Sequence, residues 1–476
     1  MAITLILSNS SQSHKHKMSR LPYCRIAAFI FYFGFCCPRT HAESPQWPSF
    51  LGAGKSFIEP DSIPVNWGLS TNKAWDKQLP GHGQSSPVIF HNDIFVTAVS
   101  GDMKNSNHVL SLNLIDGSTN WEFIQETSNE AKNSVYISRA APTPAVDKDG
   151  VYVFFESGDL MAISFSGEEI WRRCLTDVYG PIENEFGIAS SLAQHKEKLF
   201  VLIDNSAKSY LLAVSKQDGH TLWCSERQSR ISWSSPAIVN LDNKNQVICS
   251  SAGSVDSYDP ENGSLLWSYD KVSGNTVTTP VDYGVDSIFI GASVGRDGKN
   301  ATEAQKSNMV LTASHTNGSW TPKQVWCPKK ATSSFGSPIH AAGYVYWVNR
   351  AGVVFCHDFH TGEQCYSERL SSPCWATPFQ IGNRIYFFGK NGITDVIKTG
   401  PEFIILSTNE LWDSEDDTLD AKLIASETDK ERKASATLFA GRIQYGITAV
   451  TGSLVIRTGD KLFCIRKQPS SITPKD

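Results

Sequence analysis

The stretch Ser234–Trp267, SSPAIVNLDNKNQVICSSAGSVDSYDPENGSLLW, carries the pattern that the rest of the chain repeats. It opens with Ser-Ser-Pro, runs through two β-branched segments and a third strand ending at Asp259, and turns at Asn262-Gly263. A short strand bearing Trp267 follows. Proline lacks an N–H, so it suits the first residue of a strand. Asn-Gly fits a tight type I′ hairpin, which needs left-handed backbone at both central residues. Because strand side chains alternate, the turn fixes the face that the indole covers. The stretch therefore predicts one four-stranded sheet with a single large apolar anchor, too small to be stable alone.

Working outward, the same unit recurs. Ser85-Ser86-Pro87 leads to Asp116-Gly117 and Trp121, Thr143-Pro144 to Gly167 and Trp171, and Ser190-Ser191 to Asp218-Gly219 and Trp223. After the quoted stretch, Thr279-Pro280 leads to Trp326, and Ser337-Pro338 to Thr361-Gly362 and Tyr366. Thr377-Pro378 leads to Trp412, and a last unit from Ser435 ends at Leu462-Phe463-Cys464 without a Trp strand. Trp75 precedes the first unit and belongs to none. Supplying the outer strand of the last unit from Lys73-Ala74-Trp75 closes a ring and leaves only short edges. The expected fold is all-β: an eight-bladed β-propeller over residues 73–467, closed by an N-terminal strand. Its anchors are Trp75, Trp121, Trp171, Trp223, Trp267, Trp326, Tyr366 and Trp412, at 40 to 59 residue spacings that suit blades with variable loops. The acidic, polar segment between Trp412 and Lys433 reads as a solvated insertion with room for a helical turn.

Residues 1–42 have the parts of a secretory signal peptide: Arg20 and Arg25, an apolar run Ile26–Cys37, and Thr40-His41-Ala42 as a small-x-small site. Cleavage is expected after Ala42, with Met18 an alternative start. A membrane anchor is the competing reading, but the run is shorter than the roughly 20 residues that span a bilayer. A lipoprotein site at Cys36 or Cys37 is a third. Residues 43–72 form a lead-in and residues 468–476 a tail. The expected location is periplasmic or secreted. A net charge of −5 with no basic run gives no electrostatic footprint for nucleic acid.

Repeats ending in Asp/Asn-Gly-x-x-x-Trp and opened by Ser-Ser-Pro or Thr-Pro resemble the pyrroloquinoline-quinone-type (PQQ-like) propeller repeat. Examples are LIDGSTNW, KQDGHTLW and PENGSLLW. Trp47-Pro-Ser-Phe-Leu-Gly52 is similar to the W-P-x-F-R-G opening of secreted members, with Leu51 in place of Arg. The resemblance covers about Trp47 to Lys467. It implies an eight-bladed fold like that of quinoprotein alcohol dehydrogenases and of BamB-like outer-membrane assembly factors. A quinoprotein dehydrogenase would bring PQQ with Ca²⁺ held by Glu, Asn and Asp. Its best-known members also carry a vicinal Cys-Cys pair, which occurs here only at Cys36-Cys37 in the leader. No convincing acidic ligand set precedes the strand openings, so no cofactor is expected and PQQ with Ca²⁺ is the alternative.

Other catalytic spellings carry less. Gly52–Ser56 has the end of a phosphate loop without its strand-loop-helix setting, and Gly291–Gly295 has nucleophile-elbow spelling in an all-β context. Cys356, His357, His360 and Cys365 around one hairpin suggest zinc, a disulfide or two buried thiols. Asp147–Gly150 reads as a plain turn rather than a Ca²⁺ loop. Eight cysteines follow the leader. The remaining candidate is the funnel mouth, where residues shortly before each blade's first strand should ring the channel. Trp233, Phe335 and Trp375 stand three before a proline; His82 and Arg139 stand five before one. Aromatics with a cation and a histidine suit a planar ligand or an extended peptide, against the competing reading of inter-blade packing. The expectation is a non-enzymatic, monomeric binding scaffold with an unknown protein or small-ligand partner. The alternatives are a quinone-dependent dehydrogenase and a BamB-like assembly factor.

Overall fold

A computed structural model describes residues 46–54, 56–59, 62–295, 300–413 and 421–468. The leader, its cleavage site and Cys36-Cys37 lie outside the described residues, as does the tail beyond Gln468. The described strands form eight sheets, antiparallel but for one added parallel strand, arranged as an eight-bladed β-propeller. In the quoted unit the four strands are Ala237–Leu241, Lys244–Ser251, Ser254–Tyr258 and Leu265–Tyr269, in that order from the channel outward.

Burial follows position in the blade. Second and third strands such as Gly150–Phe154 and Asp159–Ile163 are buried at every residue, because neighbouring blades cover both faces. Outer strands alternate: Lys73–Gln78 and Thr221–Arg227 present one half-buried and one exposed side chain in turn. The ring closes as expected. Lys73–Gln78 is the outer strand of blade eight, with Trp75 opposite Cys464 on Lys461–Arg466.

Two expectations are corrected. First, Asn317-Gly318 on the way to Trp326 is left-handed at both residues (φ 52° and 80°), but the turns before Trp121, Trp223, Trp267 and Tyr366 are not type I′. Only the glycine is left-handed (Gly117, Gly219, Gly263 and Gly362 at φ 72–74°), and its N–H donates to the carbonyl four residues back. A register shift in each neighbouring ladder supplies the twist that an I′ turn would have given. Second, the eight anchors are not equivalent. Trp75, Trp121, Trp171, Trp223 and Trp326 each lie on the turn glycine of the next blade and donate the indole N–H to a carbonyl there. Trp267 instead bonds Gln246 within its own blade, and Tyr366 packs against Phe403. Trp412 falls beyond the outer strand Ile405–Glu410, where Ser407 takes the anchor's register position opposite Val396. It rests on Gly392 and Phe463.

The Ser/Thr before each proline has a role beyond strand initiation. The N–H of Ser86 donates to Thr143 Oγ1, that of Thr143 to Ser191 Oγ, and that of Ser191 to Ser235 Oγ. The relay continues through Thr279, Ser337 and Thr377, each link 2.9–3.1 Å long. It satisfies N–H groups at the inner rim that no strand within the same blade reaches.

The lead-in crosses the channel. Gln46–Trp47 pairs with Val88–Phe90 of blade one, and Pro48 O accepts from Val146 N of blade two and Gln194 Nε2 of blade three. Leu51 packs beside Val281 and Phe289 of blade five, and Phe57–Ile58 joins blade seven in parallel. Trp47 is 2 % exposed and meets Phe379 at 5.0 Å. Gly52 belongs to this plug and lies on the Trp47 ring, which removes the phosphate-loop reading of that stretch. Among the described residues no helix is long and apolar enough to cross a membrane.

Candidate functional site

Each blade's opening loop delivers side chains to the channel before its first strand begins, and these loops enclose a cavity of about 720 Å³. Trp233, Phe335 and Trp375 all line it. They are joined by Tyr136, Phe186 and Phe439. Ring centroids of Phe335 and Trp375 are 4.9 Å apart, of Trp375 and Phe439 5.2 Å, and of Phe439 and Tyr136 5.0 Å. Phe186 and Trp233 form a second pair at 5.9 Å across the mouth, and Trp233 Nε1 is fixed on Gly187 O. All six rings are half-buried, so each keeps a face toward the cavity. Gln84, Asn300, Gln444 and Tyr445 supply amide and phenol groups among these apolar walls. Among the described residues the lining contains no carboxylate, and Arg350 is its one charged residue.

His82 and Arg139 are placed differently from expectation. Neither lines the cavity; both lie behind Tyr445 and Gln84. His82 meets the Tyr445 ring edge-on at 6.2 Å, and Arg139 N donates to Gln84 Oε1 at 3.0 Å. Arg457 completes this layer, donating to Ser85 and Thr97 of blade one from a fully buried position. Burial lowers the Arg457 guanidinium to about 9. Burial first, then the positive charges of Arg139 and Arg457, hold the His82 imidazole well below its ordinary value. His82 is thus a neutral packing group. Counting back from a proline locates a loop but not which of its side chains turns inward.

The described part of the insertion is largely exposed and helical, and it is docked rather than free. Its described helices, Ala421–Ser426, Lys430–Ser435 and Thr437–Ala440, lie at the mouth. Asp429 caps the second by accepting from Arg432 N at 2.9 Å. Arg432 pairs with Glu185 and stands 5.3 Å over the Phe186 ring. Tyr136 OH meets Ser435 Oγ at 2.8 Å and bonds Arg432 O. Phe439 then reaches the arc between Tyr136 and Trp375. Tyr136, Phe186 and Phe439 were not legible as site residues, because two irregular loops and a single helical turn, Thr437–Ala440, carry no periodicity.

The cysteine-histidine hairpin does not form a metal site. Cys356 faces Gly400 O at 3.6 Å, while its strand neighbour His357 lies between Trp326 and Trp347. Successive strand residues point to opposite faces, so the two cannot share an ion. The eight cysteines from Cys174 to Cys464 are thiols in this structure. Gly291–Gly295 follows the strand Ile288–Ile290 as a loop at the cavity wall, without the strand-to-helix elbow. Among the described residues no three His, Cys, Asp or Glu side chains converge as a ligand set. No step is assigned to a quinone or to Ca²⁺.

Comparison with known proteins matches the family model described as outer membrane protein assembly factor BamB over residues 69–180 and 182–368, more than half of the chain. No curated protein sequence matches. Among solved structures, BamB from Moraxella catarrhalis is similar at a TM-score of 0.54 and 12% identity, covering 82% of this chain and 96% of that one. Quinohemoprotein alcohol dehydrogenase from Comamonas testosteroni is similar at 0.57 and 11% identity, with 91% and 82% covered. A computationally designed protein, Ika8, is similar at 0.50 and 11% identity, with 82% and 98% covered. At such identities the likeness is one of fold, shared by proteins with different activities.

Proposed function

This chain belongs to the family of the outer membrane protein assembly factor BamB, and we propose that it is an exported, non-enzymatic binding propeller whose aromatic chamber holds an apolar or planar group. The observation that carries this reading is the arc of Trp375, Phe335, Phe439 and Tyr136, with Trp233 and Phe186 opposite, around about 720 Å³ of space. Aromatic faces give a large contact area with little side-chain entropy to lose, and the amides around them orient a polar end. The volume lies within the range of small-molecule sites and also admits the side chains of an extended peptide.

Family membership supports an extracytoplasmic location, and it makes a protein partner one source of the bound group. The test is titration with N-phenyl-1-naphthylamine, a neutral planar fluorophore. Trp233→Ala and Trp375→Ala should each weaken binding about tenfold, as loss of an aromatic anchor does, and leave the unfolding midpoint near wild type. Trp267→Ala should instead lower the midpoint. A wild-type protein that does not take up the probe would overturn the chamber reading. Dye-linked alcohol oxidation after addition of quinone and Ca²⁺ would overturn the non-enzymatic one.

A further inference from the structure

We propose that the helical insertion Ala421–Ala440 is a lid that gates the aromatic chamber, with Phe439 and the Arg432–Glu185 pair as its two latches. The proposal rests on the chamber being a binding site and adds how that site is reached.

Three observations carry it. The insertion spans the mouth: Arg432 fastens it to Glu185 and Phe186 ahead of blade three, and Phe439 fastens it to Trp375 ahead of blade seven. Tyr136, ahead of blade two, receives both, through Arg432 O and through the Phe439 ring. The channel's far side is crossed by the lead-in, which pairs with inner strands in blades one and seven. The ring wall from blade one to blade seven is tied blade to blade by the hydroxyl relay. The insertion has no part in that relay.

Its attachments are of a kind that releases. The helix Lys430–Ser435 buries none of its residues and docks through side-chain tips; the buried residues of the insertion are Glu427 before it and Ala436 after it. Elements with few buried contacts open locally at much smaller free energy than the fold as a whole. Phe439 also lines the cavity itself, occupying wall that an incoming aromatic group would use. Release of the insertion both widens the mouth and exposes the faces of Trp375 and Tyr136 that Phe439 covers.

The test uses the full chain and the variants Phe439→Ala, Arg432→Gln, and the swapped pair Arg432→Glu with Glu185→Arg. Hydrogen exchange at residues 430–440 reads the lid, and stopped-flow association of N-phenyl-1-naphthylamine reads access. Either single variant should speed exchange there and raise the association rate by about tenfold, the scale of losing one partly desolvated ionic or cation–π contact. The swapped pair should return both toward wild type. Acrylamide quenching of tryptophan fluorescence should rise in Phe439→Ala and not when Trp375→Phe is added, a readout that needs no ligand. Faster exchange with an association rate unchanged in both single variants would overturn the gate. So would unchanged exchange together with unchanged quenching. If the probe binds no variant, the chamber reading fails, while exchange and quenching still decide whether the insertion opens.

Discussion

Ser235 holds its hydroxyl oxygen 2.9 Å from the backbone N–H of Ser191 in the preceding blade, with both residues almost fully buried. The same contact recurs from Ser86 to Thr377. Each link closes an N–H that burial would otherwise leave unpaired. Ser235→Ala should therefore cost about 1–3 kcal/mol, the desolvation of a buried unpaired donor. Ser235→Thr should cost less, since threonine fills the same place at Thr143, Thr279 and Thr377. Urea unfolding midpoints compare the two, and an alanine variant as stable as the threonine one would remove the relay's structural role.

Trp171 lies on Gly219 of the next blade. A methyl group at Gly219 would stand 2.6 Å from Trp171 Cε3, and the glycine's φ is +74°. Gly219→Ala should combine left-handed strain with a clash and lower stability by about 2–4 kcal/mol. Gly318 has φ +80° but open space around it, so Gly318→Ala should show the strain alone, about 1–2 kcal/mol. Equal losses at the two sites would mean that the indole yields freely and that blade docking does not depend on the bare glycine.

Arg227 ties blades three and four together. Its guanidinium donates to Asp204 at 3.0 Å, Tyr258 OH at 2.7 Å and Ser251 Oγ at 2.8 Å, and pairs with Asp256 at 3.2 Å. Its side chain is fully buried, and its neighbours' charges hold it above its ordinary value against the opposing effect of burial. Arg227→Met should cost about 3–5 kcal/mol, because buried Asp204 loses its counter-charge and Asp256 keeps only Arg230, at 3.6 Å. Replacing the carboxylates as well, with Asp204→Asn and Asp256→Asn, should recover part of the loss. A triple variant no better than the single one would count against uncompensated charge as the cause.

His357 lies between Trp326 and Trp347, and burial lowers it from 6.5 to about 4. The neutral ring is the folded form. Above about pH 6.5 the stability from this site is complete. As pH falls from 6.5 toward 4, the unfolded chain takes up a proton that the folded chain refuses, and stability drops by about 3 kcal/mol at most. His340 is lowered to about 4 by burial and then by His360, and adds a loss in the same window. His357→Phe should flatten the fall of the urea midpoint between pH 6.5 and 4.5. A slope identical to wild type would assign the acid lability to other groups.

How far the molecule was legible depended on whether a feature is periodic. Strand alternation, proline at strand starts and glycine-turn-Trp spacing repeat once per blade, and repetition makes a local signal safe. They placed eight blades and put Trp75 opposite Cys464. The same pattern misled at Trp267 and Trp412. At Trp267 the spelling is present, but the hairpin of blade five turns at Asn317-Gly318, where nothing lies within 4 Å of the glycine's open side; Trp412 lacks the glycine turn, with Thr408 four residues before it.

By itself the sequence determined the ring, because blade number and closure follow from local backbone preferences and buried faces repeated along the chain. Only the tertiary structure decided what fills the ring. The lead-in across the channel, Phe439 against Trp375 and the retreat of His82 and Arg139 behind Tyr445 all join residues distant in sequence. Such contacts are set by which loop reaches the axis first and fills the space there, and no spacing along a single blade encodes that outcome.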